Sequence, residues 1–261
     1  MKFAKKSLGQ NFLIDKNIIK KIANLINING RDIIEIGPGK GALTDEILKK
    51  NPKTLKIIEK DSKLANELKI KYTKKRNVFV FNEDILKFDI EKIQNKNCAV
   101  FGNLPYNISS QILVKFLKFS KWPPKIKDFV FMFQKELGEK IIGQYPSKNY
   151  GRLSILTNYR LNIMKKFFVS LNCFFPKPKV TSIVLHLRPK ICENHDIKDL
   201  KNLEKVTNIL FSNKRKMINK NIKKLLKKKQ IELLHDLKLD LRPDKIKPGM
   251  YYKITEIYEK N

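Results

Sequence analysis

Arg31-Asp32-Ile33-Ile34-Glu35-Ile36-Gly37-Pro38-Gly39-Lys40-Gly41-Ala42-Leu43-Thr44 decides the fold of this chain. An apolar run of strand length ends on three glycines at alternate positions, and a helical pattern, ALTDEILKK, starts at once. A buried strand that feeds a glycine turn and then a returning helix is one unit of a parallel α/β layer. Glycine lets the backbone turn sharply and come close to a ligand, and ligands of such sheets bind beyond the carboxyl ends of the strands. The spacing is G-x-G-x-G, unlike the G-x-G-x-x-G of dinucleotide sites.

Outward from this unit the alternation continues. IDKNIIKKIANLI spaces Ile18, Ile19, Ile22, Leu25 and Ile26 as one stripe of a helix. TLKIIEKD reads as a second strand followed by the helical SKLANELKIKY, NVFVFNED as a third strand, and NCAVFGNLPY as a fourth. KDFVFMFQKELGEKII is a strand running into a helix, and KKFFVSL and TSIVLHLRP are later strands. The expected fold is a Rossmann-like α/β domain, a mainly parallel sheet with helices on both faces. After Arg188-Pro189 only helical patterns follow, so the expected division is an α/β domain over 1–190 and a small all-helical domain over 200–261. Within the latter, KRKMINKNIKKLLKKKQ predicts a basic helix with Met217, Ile218, Ile222, Leu225 and Leu226 on one face.

Composition narrows the function. Lys and Arg number 56 against 25 Asp and Glu, a formal net charge of +31, which suits an anionic partner and nucleic acid first. Only seven of the basic residues are arginines, and an arginine kept in so lysine-rich a chain points to a planar, bidentate role. No apolar run approaches the ~20 residues of a membrane span, and the three cysteines, Cys98, Cys173 and Cys192, form no disulfide framework, so a reducing cytoplasm is expected. Cys192-x-x-His195 lacks a second ligand pair, so no metal is expected.

Three carboxylates fall at or near successive strand ends: Glu35, Glu59 (18 residues beyond Gly41) and Asp84. Glu59 is placed to accept from two ribose hydroxyls, and Asp84 to meet an adenine amino group. A pocket so lined repels a pyrophosphate and favours a cation without phosphates, which describes S-adenosylmethionine. Each of these features alone also suits a plain turn or a solvated strand end; their order favours the pocket. Asn103-Leu104-Pro105-Tyr106 then closes the fourth strand. Asn103 Oδ1 and the Leu104 carbonyl suit the two hydrogens of an exocyclic amine. Pro105 fixes the backbone, and Tyr106 offers a face to a flipped-out base.

With those residues in place the chain resembles the ribosomal RNA adenine dimethyltransferase family, above all its bacterial branch acting on small-subunit rRNA. KKSLGQNFL, EIGPGKGALT, IIEKD, NEDIL, GNLPYNISS, YGRLSIL, FFPKPKVTS and LRPDKI match in order across almost the whole chain. The resemblance implies a methyltransferase domain, a small helical domain, and transfer of two methyl groups to each of two adjacent adenines near the 3′ end of 16S rRNA. The substrate would be the assembling small subunit, and the enzyme a monomer. Cofactor contacts are implied at Asn11, Leu13, Gly37, Glu59, Asp84 and Asn103, with Gly39 in the same loop and Asn11 and Leu13 in a lid. Asn103 to Tyr106 would hold the base, and Phe175 would cover its other face. Lys177 and Lys179 would reach phosphates, and from charge alone the basic run that opens with Lys214, Arg215 and Lys216 suits a secondary RNA surface or a plain solvated face. The chain departs from the family in having KRKMINK for an arginine-rich run and Lys140 for an Arg. Alternatives within reach are the large-subunit rRNA dimethyltransferases of macrolide resistance and a non-catalytic RNA-binding assembly factor; the glycine spacing makes a dehydrogenase remote.

Overall fold

A computed structural model describes residues 10–260, so residues 5–9 of the KKSLGQNFL motif lie outside the described residues. Along the chain run β1 (Phe12–Leu13), α1 (Lys16–Ala23), β2 (Asp32–Ile36), α2 (Ala42–Leu48), β3 (Thr54–Ile58), α3 (Ser62–Lys71), β4 (Val78–Phe81), β5 (Cys98–Asn103) and α4 (Ser109–Leu117). There follow β6 (Ile126–Gln134), α5 (Lys135–Ile141), α6 (Arg152–Arg160), β7 (Leu161–Val169), β8 (Phe174–Phe175), β9 (Ser182–Pro189), α7 (Leu200–Phe211), α8 (Asn219–Ile222), α9 (Lys228–Glu232) and α10 (Pro248–Tyr258).

Seven strands form one sheet in the order β4-β3-β2-β5-β6-β9-β7, with β2 to β6 and β4 mutually parallel and β9 antiparallel to β6. All five residues of β2 are buried, as are the first five of β5, because helices cover both faces of a parallel sheet. From β2 the chain winds outward through β3 and β4, then returns to lay β5 on the other side of β2. The crevice at that reversal, beyond the carboxyl ends of β2 and β5, is where such sheets take ligands. Local sequence sets the helix starts: Asp15 caps α1 by accepting from the N–H groups of Asn17 and Ile18, and Asp61 caps α3.

By contact the chain forms two units, residues 1–138 with 162–189, and 139–161 with 190–261. Residues 139–161, part of the stretch expected to belong with the sheet, thus pack with the C-terminal helices. In α6 the buried Ile155, Leu156 and Tyr159 account for this: the Tyr252 hydroxyl donates to the Ile155 carbonyl at 3.2 Å, and the Tyr159 and Tyr252 rings lie 4.9 Å apart. The predicted basic helix is broken into α8 and α9, with Lys214, Arg215 and Lys216 in an exposed turn before them. Nine like charges with no acidic partner at helical spacing weaken a continuous helix. Ile218, Ile222, Leu225 and Leu226 are buried as the pattern required, whereas Met217 is exposed. No helix among the described residues is long and apolar enough to cross a membrane.

At the end of the sheet away from that crevice lies a polar clasp. Buried Asp128, near the start of β6, accepts from His186 Nε2 at 2.7 Å, Arg188 Nε at 2.7 Å and Arg31 Nη2 at 2.8 Å. Arg31 also donates to the carbonyls of Asn27 and Asn97. Burial alone would raise the Asp128 carboxyl, but its three donors outweigh burial and hold it well below the usual carboxylate range. Arg31, which donates through all three guanidinium nitrogens, therefore serves the planar, multi-donor role that lysine cannot fill.

Candidate active site

A cleft of about 350 Å³ opens beyond the ends of β2 and β5. Asn11, Leu13, Gly37, Gly39, Glu59, Asp84, Asn103, Leu104, Pro105 and Tyr106 all line it, together with Glu35, Phe12 and Lys60. Gly37 and Asn103, far apart in sequence, meet here because the strand order puts β2 beside β5. A Cβ on Gly37 would sit 3.6 Å from the Asn103 carbonyl oxygen. Gly39 has φ +59°, and a Cβ there would come within 2.7 Å of the Phe12 ring, so the glycine loop admits the N-terminal segment onto its surface.

That segment is fixed at several points. β1 pairs antiparallel with β8, Phe12 opposite Phe175 and Leu13 opposite Phe174. The Ile14 N–H donates to the Cys173 carbonyl at 2.9 Å, and Gln10 Nε2 to Asp61 at 3.3 Å. Asn103 Nδ2 donates to the Asn11 carbonyl at 3.0 Å. The last bond orients the amide: with its nitrogen committed to Asn11, Oδ1 is the remaining acceptor of the side chain. The next turn is closed by Ile108 N–H on the Pro105 carbonyl and Ser109 Oγ on the Tyr106 carbonyl, which leaves the Leu104 carbonyl out of the turn. The Tyr106 hydroxyl lies 2.6 Å from Ser182 Oγ, and burial pushes its pKa up, so it stays an O–H.

Glu59 is the first residue beyond β3 and is buried, its oxygens accepting from Gly39 N–H at 3.3 Å and Asp61 N–H at 2.9 Å. Burial raises its pKa. Asp84 does not end its strand as expected. β4 stops at Phe81, because Asn82 turns away to donate its amide to the carbonyls of Glu59 and Lys60, and Asp84 stands three residues further on. Lys60 pairs with it at 2.8 Å and holds the carboxyl below its ordinary range. Lys115 Nζ fixes this loop from α4, donating to the carbonyls of Leu86 and Phe88 at 2.9 and 2.7 Å.

Phe175 is outside the lining of the cleft and is 48% exposed. The ladder that pairs it with Phe12 carries it beside the cleft. Lys177 and Lys179 are exposed beyond it. Phe12, Lys60, Lys115 and Ser182 escaped sequence reasoning. Phe12, Lys60 and Ser182 sit inside recognisable motifs, yet their contacts arise from tertiary register that local patterns do not encode.

Glu35 is the most deeply buried carboxylate of the cleft, 1% exposed, with the Thr44 hydroxyl donating to it at 2.7 Å. Burial pushes its pKa up to about 8 from an ordinary 4.5. A carboxyl raised in the folded state stabilises the fold fully below pH 4.5 and loses that contribution as pH climbs to about 8. Glu35→Gln, which keeps an acceptor for Thr44, should therefore outlast the parent chain in urea at pH 8, by about 3 kcal/mol more than at pH 5 without cofactor. Unfolding midpoints that run parallel across this range would refute it.

The lining fits a cation carrying an adenosine: carboxylates to accept from hydroxyls and an amino group, no arginine among the described lining residues to cradle a phosphate, and glycine backbone for close approach. Over residues 1–260 the chain matches the family model described as ribosomal RNA adenine dimethylase. A ribosomal RNA small subunit methyltransferase A of Pelagibacter ubique (strain HTCC1062) is 43% identical over 264 aligned positions, covering 98% of this chain and 97% of the relative. The protein of the same name from Francisella tularensis subsp. novicida (strain U112) is 41% identical over 233 residues, covering 88% and 87%. Among solved structures, a dimethyladenosine transferase from Plasmodium falciparum superposes with a TM-score of 0.80 at 26% identity, covering 95% of this chain and 98% of that one. The 23S rRNA methyltransferase ErmE shares the fold, with a TM-score of 0.69 at 24% identity over 95% and 99% of the two chains.

Proposed function

We propose, starting from a chain that belongs to the ribosomal RNA adenine dimethylase family, that it dimethylates N6 of two adjacent adenines near the 3′ end of 16S rRNA in the assembling small subunit. It is an S-adenosylmethionine-dependent rRNA adenine dimethyltransferase; the choice of subunit, and work as a cytoplasmic monomer, are our reading. S-adenosylmethionine supplies an electrophilic methyl group on a sulfonium. Gly37 and Gly39 give it backbone room, Glu59 takes the ribose hydroxyls, Asp84 the adenine amino group, and Asn11 and Leu13 cover it from the N-terminal side.

The chain's own groups prepare the nucleophile. The lone pair of an adenine amine is delocalised into the ring. Asn103 Oδ1 and the Leu104 carbonyl, by accepting its two hydrogens, draw the amine toward tetrahedral geometry and free that pair. Tyr106 stacks on one face of the flipped base and Phe175 on the other. Once methylated, the nitrogen is acidic enough to release its proton to water, so no strong base is needed and positioning carries the rate. Lys177 and Lys179 hold phosphates beside the target, and Lys214, Arg215 and Lys216 add a further RNA surface on the helical unit.

The observation that carries this reading is the Asn103–Asn11 bond, which leaves an oriented acceptor at the strand end beside the glycine loop. The test offers radiolabelled S-adenosylmethionine with either unmethylated small subunits or protein-free large-subunit rRNA, then identifies the labelled nucleosides. Dimethyladenosine from small subunits alone is expected. Label in large-subunit rRNA would overturn the choice of subunit, and no label from a folded, cofactor-binding protein would make it an RNA-binding factor.

A further inference from the structure

We infer that Ser182 is a positioning residue for base capture, holding the Tyr106 ring in the orientation that a flipped-out adenine stacks on. The inference rests on the reading of Tyr106 as a stacking face. Ser182 opens β9, is 0% exposed, and lies opposite Gln134 in the antiparallel pair of β6 with β9. One residue earlier the ladder continues, with Lys135 N–H on the Thr181 carbonyl at 2.9 Å. Its hydroxyl therefore belongs to the interior of the sheet. Tyr106 stands in a loop, and the 2.6 Å bond between its hydroxyl and Ser182 Oγ ties that loop's aromatic ring to the sheet. Ser182 does not line the cleft, so it acts only through Tyr106.

Two contacts define the ring. The Tyr106 carbonyl accepts from Ser109 Oγ at 3.2 Å, which sets the backbone end, and Ser182 sets the hydroxyl end. With both ends held, the plane of the ring is fixed before a base arrives, and no ordering is needed on capture. Without Ser182 the half-buried phenol has an unsatisfied hydroxyl, and it regains a partner by swinging toward the water of the open cleft. The ring then blocks the space that the base would enter.

The test is a double-mutant cycle on methyl transfer to unmethylated small subunits, with Ser182→Ala, Tyr106→Phe, the double variant, and Tyr106→Ala to measure the ring's whole contribution. Ser182→Ala should lower kcat about 3- to 10-fold, the factor given by one neutral hydrogen bond. S-adenosylmethionine affinity should stay at the parent value, and the thermal midpoint should fall by only a few degrees. The double variant should be no worse than Ser182→Ala, because phenylalanine has no hydroxyl to satisfy. Multiplying effects would assign Ser182 a role independent of Tyr106 and overturn the inference, as would an unchanged kcat in Ser182→Ala. If Ser182→Ala does not fold, Ser182→Thr, which keeps the hydroxyl, and Ser182→Val, which has the same shape without it, decide in its place: the Val variant should show the lower kcat, and equal values would overturn the inference. A fully active Tyr106→Ala would sink the stacking role and this inference together. Failure confined to Ser182, with Tyr106→Ala inactive, would leave the proposed function standing.

Discussion

Asn103→Ala should reduce dimethyladenosine formation on small subunits by about three orders of magnitude, while cofactor affinity falls by less than tenfold. Two losses combine. The variant has no oriented acceptor for the target amine, and the removal of one preorganised polar group at a reacting centre costs about 10²–10³ in kcat. It also removes the bond that Asn103 Nδ2 donates to the Asn11 carbonyl at 3.0 Å, and so loosens the N-terminal segment over the cleft. Asn103→Asp separates the two, since it keeps an acceptor but cannot donate to Asn11. It should recover part of the rate without restoring the segment. Single-turnover transfer beside equilibrium cofactor binding gives both quantities. Parent-like turnover in Asn103→Ala would move the chemistry away from this strand end.

Asp128→Ala should destabilise the sheet unit by about 3–5 kcal/mol, because it leaves Arg31, Arg188 and His186 around an empty buried position. For a unit of this size that corresponds to a fall of roughly 10 °C in Tm. The clasp lies at the opposite end of the sheet from the cleft, so transfer measured well below the new midpoint should stay within about twofold of the parent; this is the split expected of a residue that acts on stability alone. The pH dependence has a definite sign. A carboxyl held low in the folded state contributes its stability above the ordinary carboxylate range and loses it only as pH falls through the depressed value. Mild acid should therefore leave the clasp closed, and urea midpoints at pH 4 should still separate the parent from Asp128→Ala. Equal midpoints there would show that the donors do not hold the carboxylate.

The parallel core was legible in the sequence because buried parallel strands are nearly continuous apolar runs, and here each stops at a glycine, an acid or Asn-Leu-Pro. β2, β3 and β5 lie where those runs stand, and Asn11, Leu13, Gly37, Gly39, the three acids and the strand-end motif line one cleft. Asp84 was misplaced by three residues because the amide of Asn82 ends β4 early, a contact made by a neighbouring strand rather than by local propensity. The basic helix was overextended because periodicity records the buried face of Ile218, Ile222 and Leu225 but not the repulsion among the lysines between them. Lys60 and Ser182 were silent, since a lysine after a strand and a serine starting one have no signature until their partners are known.

The division of the chain into two interleaved units limits how the gene can be cut. The polypeptide passes from one unit to the other at 138/139, at 161/162 and again at 189/190. A stop codon after Pro189, the obvious place to isolate the sheet, would release a polypeptide that still carries α6 but none of the helices it packs with. Ile155, Leu156 and Tyr159 would meet water, and the fragment would aggregate. A fragment that keeps the cleft soluble must lose the 139–161 excursion as well. The reverse fragment, 190–261, lacks the α6 surface on which α7 packs. For this chain, modularity is a matter of splicing rather than truncation.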